Sequence, residues 1–195
     1  MLKLPEKIKP YSGIIYFVII LVLSHFFWKF FVVGDEVEVD SFVTLFGIDI
    51  SRPFTWLAQH IAHAVTASLN FLGFDVALEP NNIVRHENGR AIRVVYSCTG
   101  IKQAYIFCCI IAFYRGPWLK KLWYIPLGLV IIHLFNIFRI ASIAGFIKNY
   151  PASFDFLHEH LFKYMFYGII FLMWVFWEEK IVLKKQLKPK EENIS

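Results

Sequence analysis

"VVYSCTGIKQAYIFCCIIAFYRG" (residues 94–116) starts as one kind of structure and ends as another. Its opening residues are β-branched and aromatic, the composition of a strand. From Ile101 the run is almost wholly apolar, the composition of a buried or membrane-embedded helix. At the joint stand Cys98, Thr99 and Gly100. Whether the second half crosses a membrane decides the fold.

The rest of the chain answers for the membrane. Of 195 residues, 57% are hydrophobic, against about 45–50% in soluble domains. Mean hydropathy is +0.53, and the apolar excess is gathered into long blocks. This reads as an integral membrane protein forming a single membrane domain over 1–195. The first block, "YSGIIYFVIILVLSHFFWKFFVV" (11–33), is longer than the roughly 7–15 apolar residues of a signal-peptide core and lacks a small-residue cleavage site. It is expected to be a retained helix. The net charge of +5 does not point to nucleic acid. The lysines flank apolar blocks, where they set orientation.

Four segments are candidates to span: 11–33, 100–115, 122–147 and 161–177. The N-terminal ten residues hold three lysines, "RGPWLKK" (115–121) holds one arginine and two lysines, and the tail after 177 holds five lysines. Placing all three inside closes the count at four crossings. Segment 34–100 then lies outside. It has no lysine and eight acidic residues against four arginines. Within it, "PFTWLAQHIAHAVTASLNFLGF" (53–74) is broken by polar residues and reads as an amphipathic or re-entrant helix. "NIVRH" and "RAIRVVYS" flank a Glu87-Asn88-Gly89 turn signal and predict a hairpin. The expected fold is thus an all-α integral membrane protein. It has about four transmembrane helices, one amphipathic or re-entrant helix and a short extracytoplasmic hairpin. Its parts are 1–33 (tail and first helix), 34–99 (outer segment), 100–177 (catalytic helices) and 178–195 (cytoplasmic tail).

Polar groups inside spans are costly and need a reason. "LVIIHLFNIFRIASIAG" (129–145) holds His133, Asn136 and Arg139 three residues apart, so they form a stripe along one helix. With the basic turn inside, Arg139 falls near the outer end of its helix. Cys98 falls at the outer start of the next apolar helix, and His158, Glu159 and His160 at the outer start of the last. A thiol, an arginine and a histidine collect on one side. A thiolate can attack a carbonyl, and a helix N-terminus lowers a thiol pKa. A histidine can pair with the thiolate and protonate a leaving amine. Arginine can hold an oxyanion or a carboxylate.

"SCTGI" (97–101), "NIFRI" (136–140) and a histidine before "FKYMFYGIIFLMWVFW" (162–177) resemble, in order and spacing, the motifs of the exosortase/archaeosortase family. The resemblance implies a membrane cysteine transpeptidase of the cytoplasmic membrane, with its site on the outer face. Its implied substrates are exported proteins with a C-terminal signal of short motif, hydrophobic helix and basic cluster. The new C-terminus would pass to a lipid or glycan acceptor. By the resemblance Cys98 is the nucleophile, Arg139 the stabiliser, and His158 or His160 the acid/base, with the spacing to Phe162-Lys163-Tyr164 favouring His158. Thr99 stands where serine is commoner in the family, and the hydroxyl is kept. The N-terminal part is shorter than in many members, which bears on partner recognition.

Other features have plainer readings. Cys108 and Cys109 are expected to pack, and His60 and His63 to lie on a polar interfacial face. Trp118, Trp123, Trp174 and Trp177 are expected to form an interfacial belt. No cofactor or metal is expected. The competing function is a non-enzymatic membrane subunit of an export or polysaccharide complex, its polar stripe joining helices. A further alternative is an acyltransferase using His133 or His158 as base.

Overall fold

A computed structural model describes residues 11–34 and 42–183. The N-terminal tail, the acidic run 35–41 and the tail after 183 lie outside the described residues. The described residues are mostly helical, with five α-helices among them: α1 (Ser12–Phe31), α2 (Ser51–Phe71), α3 (Ile101–Phe113), α4 (Trp118–Ile147) and α5 (Phe162–Trp177). Among the described residues six short strands form two antiparallel sheets, so the architecture is not purely α. One sheet is β1 (Val32–Gly34), β2 (Val43–Leu45) and β3 (Ile48–Asp49); the other is β4 (Val76–Glu79), β5 (Ile83–His86) and β6 (Ala91–Arg93). The first sheet was not foreseen, because its strands are only two or three residues long, too short for a period-2 pattern. Glu87, Asn88 and Gly89 lie between β5 and β6, which pair with Val84 opposite Ile92.

Among the described residues two helices, α1 and α4, are long and apolar enough to cross a membrane, consistent with a membrane protein. The other two expected spans come out shorter. Helix α3 has 13 residues, about 20 Å at 1.5 Å per residue against about 30 Å of hydrocarbon. It is the innermost helix all the same. Ile106, Phe107, Ile110 and Ile111 are fully buried against Phe17 of α1, Ile132 of α4 and Phe166 and Ile170 of α5. Helix α5 has 16 residues and is extended at both ends by π-helical turns, Phe156–Leu161 and Glu178–Leu183. Ile181 and Val182 of the second turn are buried in this same core, while Glu179, Lys180 and Leu183 are exposed.

Helix α2 is one-sided. Phe54, Ala58, Ile61, Ala62, Val65 and Leu69 are buried at helical spacing, while Trp56, His60, His63 and Phe71 are exposed. Its apolar stripe packs on Val84, Val94, Ile140 and Ala144. That seats the second sheet against the end of α4.

Polar contacts lock these parts. His86 Nε2 lies 2.8 Å from the carbonyl of Ala144. Asn88 donates to the Lys148 carbonyl at 3.1 Å, and Arg90 to the Ile147 and Lys148 carbonyls at 3.2 and 2.6 Å. The β5–β6 connection therefore supplies hydrogen-bond donors to carbonyls at the end of α4. At the opposite end Lys121 is buried, only 4% exposed. Its ammonium donates to the carbonyls of Ala112 and Tyr114 at 2.7 and 2.6 Å and lies over the Trp118 ring. This lysine, counted above as an orientation charge, also caps α3. Of the four tryptophans expected at an interface, Trp118 and Trp123 are exposed. Trp174 and Trp177 are core residues, with Trp177 Nε1 donating to the Arg115 carbonyl at 2.9 Å.

Candidate functional site

Cys98 stands on a 3₁₀ turn, Tyr96–Thr99, between β6 and α3. The turn is fixed from several directions. Thr99 is buried and its hydroxyl donates to the Tyr96 carbonyl at 2.6 Å, which gives the retained hydroxyl a structural use. The Tyr96 hydroxyl donates to the Gly34 carbonyl at 3.0 Å. Gly100 follows with φ +76, a left-handed value that glycine adopts without strain. A Cβ there would meet Asn136 Cγ at 3.2 Å. The Asn136 amide itself donates to the Cys98 carbonyl at 2.7 Å. Asn136 is fully buried, so its amide depends on this bond.

Arg139 lies one helical turn beyond Asn136 on α4 and is 6% exposed. Its guanidinium carbon sits 5.9 Å from the centre of the Phe166 ring, where the ring face favours the cation. His158 belongs to the π-helical turn before α5, a backbone form that often marks functional positions. Its ring stacks on Phe154 at 5.4 Å, the planes 7° apart.

These three expected residues meet. The Cys98 thiol is hydrogen-bonded with the His158 side chain and lies within the field of the Arg139 charge. Burial pushes the thiol pKa up. The His158 hydrogen bond, the Arg139 charge and the Val95 backbone N–H outweigh it, so the thiol is held below its ordinary value. The backbone donor is on the strand side of the turn, rather than an amide of α3 as the helix-start argument supposed. A cavity of about 260 Å³ opens at the thiol, lined by Ala91–Val94, Cys98, Ile140, Ile143, Ile147, Phe154 and His158. A thiol and a histidine at a partly enclosed space, within the field of a buried cation, are suited to acyl transfer.

The other candidates are elsewhere. His160 is exposed, its ring against Phe156 at 6.2 Å, and it does not line the cavity. His133 stacks on His60 at 5.2 Å, and His60 on Trp56 at 5.7 Å. This stack joins α4 to α2 and is not part of the cavity lining. Cys108 and Cys109 lie within α3, half-buried. Among the described residues no group of three His, Cys, Asp or Glu side chains could hold a metal. Sequence reasoning missed Val95 and Phe154. Val95 acts through its backbone, and Phe154 is one of many aromatics.

The family model described as transmembrane exosortase matches residues 10–177. The chain belongs to the transmembrane exosortase family. The match takes in every element from α1 to α5, and with them Cys98, Asn136, Arg139 and His158. No curated protein and no solved structure matches this exosortase.

Proposed function

We propose that this exosortase is a cysteine transpeptidase of the cytoplasmic membrane. It would cleave a C-terminal sorting signal of exported proteins at the outer face and pass the new C-terminus to a lipid or glycan acceptor. The observation that carries the reading is the Cys98 thiol at a cavity, hydrogen-bonded with His158 and within the field of the Arg139 charge. Family membership supports the same chemistry.

In this reading the Cys98 thiolate adds to a peptide carbonyl. Arg139 balances the charge that develops on the carbonyl oxygen. The C–N bond breaks, and the leaving amine takes its proton from His158. A thioester remains on Cys98. An acceptor hydroxyl or amine then attacks it, gives its proton to His158, and releases Cys98 as the C–S bond breaks. Helices α1, α3, α4 and α5 are the four crossings of this reading. The lysines before α1, between α3 and α4 and after α5 face the cytoplasm. Short α3 is accommodated because three longer neighbours surround it.

The test is processing of a co-expressed exported protein that ends in a hydrophobic helix and a basic cluster. Cys98→Ala should insert and fold normally yet leave this substrate at full length. Normal processing by the alanine variant rejects the cysteine mechanism.

A further inference from the structure

Helices α1, α3 and α5 each carry a lysine toward the end of the bundle that holds Cys98: Lys29, Lys102 and Lys163. At that end α1 and α3 pack through Trp28 and Tyr105, ring centres 5.3 Å apart. Lys29 follows Trp28, and Lys102 stands one turn before Tyr105. Lys102 is also one turn before Ile106, and Lys163 one turn before Phe166. Ile106 and Phe166 are buried in one core. The packing thus brings three ammonium groups together from three helices. Lys102 lies within the field of both Lys163 and Lys29. His25, one turn before Lys29, lies within the field of all three lysines.

Lys29 and Lys163 are exposed, and Lys102 is half-buried. Among the described residues no carboxylate pairs with any of them. Three like charges repel, and a half-buried ammonium is costly without a counter-ion. The orientation count does not account for this group, since its lysines in the 115–121 turn stand at the other end of the bundle. An anion held among the three offsets both costs. Inward from Lys29, at spacings of three and seven residues, Phe26 and Val22 are exposed on the same face of α1. A cationic cluster therefore stands at the head of an apolar track.

We propose that Lys29, Lys102 and Lys163 bind the phosphate of an anionic phospholipid, one of whose acyl chains lies along Phe26 and Val22. Ammonium groups on flexible stems suit a phosphate approached from several sides. Basic pockets between membrane helices hold lipid headgroups in this way. A free phosphate gains nothing from the apolar track, and an uncharged lipid gains nothing from the lysines. The site is separate from the thiol, because none of these residues lines the Cys98 cavity. It does not rest on the transpeptidase reading.

The experiment is native mass spectrometry of the full chain in a neutral detergent. It is titrated with dioleoyl phosphatidylglycerol, with dioleoylglycerol (the same chains without phosphate) or with inorganic phosphate. Wild type should take up one phosphatidylglycerol at least about tenfold more tightly than either comparator, the worth of one charged hydrogen bond. Lys102→Gln, Lys29→Gln and Lys163→Gln should each weaken that binding about tenfold. Lys120→Gln, exposed at the other end of the bundle, should stay within about twofold of wild type. Equal affinity for the two lipids overturns the proposal. Inorganic phosphate that binds as tightly as phosphatidylglycerol overturns the lipid as occupant. Unchanged phosphatidylglycerol binding in the three glutamine variants overturns the site. Where Lys102→Gln does not fold, the variants at exposed Lys29 and Lys163 decide. Binding that appears only after Asp35, Glu36, Glu38 and Asp40 are neutralised also overturns it, since the chain's own carboxylates would then hold the lysines.

Discussion

Asn136 on α4, its side chain fully buried, donates its amide to the backbone carbonyl of Cys98 at 2.7 Å. This one bond ties the turn that carries the thiol to the helix that carries Arg139. Asn136→Leu leaves the carbonyl without its partner, at a cost of about 1–3 kcal/mol. The variant should unfold at lower temperature in detergent and alkylate Cys98 more slowly. An unchanged Cys98 rate would mean that the turn holds its geometry without Asn136.

The electrostatics of the thiol predict a pH profile. Its pKa is held down against burial by His158, Arg139 and the Val95 N–H. The thiolate is the reactive form, so wild-type alkylation should rise with a midpoint below that of an ordinary free thiol measured alongside it. His158→Ala and Arg139→Gln each remove a lowering influence and leave burial in place. Each should move the midpoint upward. A midpoint that stays put in both variants would mean that neither side chain acts on the thiol.

The two histidines of the turn before α5 should separate cleanly. His158 is bonded to the thiol, whereas His160 is exposed beside Phe156. His158→Ala should reduce substrate processing by about 10²–10⁴-fold, the usual worth of a general acid–base. His160→Ala should process at close to the wild-type rate. The reverse ranking, measured with the same co-expressed substrate, would reassign the acid/base.

Gly128 of α4 faces the ring of Phe107 so closely that a Cβ would overlap Phe107 Cε1 and Cζ. Phe107 is fully buried on the central helix and has little room to retreat. Gly128→Ala should lose about 1–3 kcal/mol through overpacking, seen as a lower thermal midpoint in detergent. Gly168→Ala, where a Cβ would meet nothing within 4 Å, is the control and should not fall.

Lys121 closes the far end of α3. Replacing it with Met keeps much of the apolar stem but removes the ammonium from the carbonyls of Ala112 and Tyr114. Hydrogen bonds to a charged group are worth about 1.5–3 kcal/mol each, so Lys121→Met should be clearly less stable in thermal unfolding. Lys120→Met, exposed and one position away, should not be.

Much of this was legible in the order of residues. Apolar blocks of membrane length, the 3.6-residue period of α2 and the triplet spacing of His133, Asn136 and Arg139 are local patterns. They need no partner to be seen. Cys98, Asn136, Arg139 and a histidine before α5 could be named from motif order alone. The length of a block did not tell how much of it becomes regular helix. The apolar run through 100–115 yields only Ile101–Phe113 as α3, because Gly100 and the turn at 114–117 interrupt it.

Sequence by itself determined that this is a membrane protein of the exosortase family, and which residues are candidates for its site. Tertiary structure decided which of those residues meet. His158 rather than His160 reaches Cys98, and His133 turns away to stack on His60. The same packing made Trp174 and Trp177 core instead of interface, and turned Lys121 from a topology charge into a helix cap. The physical reason is common to all of these. A periodic pattern states which way a side chain points on its own helix. What it touches depends on how separate elements pack, and here that is fixed by contacts far apart in the chain. The His86 ring on the Ala144 carbonyl and the Asn136 amide on the Cys98 carbonyl are two such contacts.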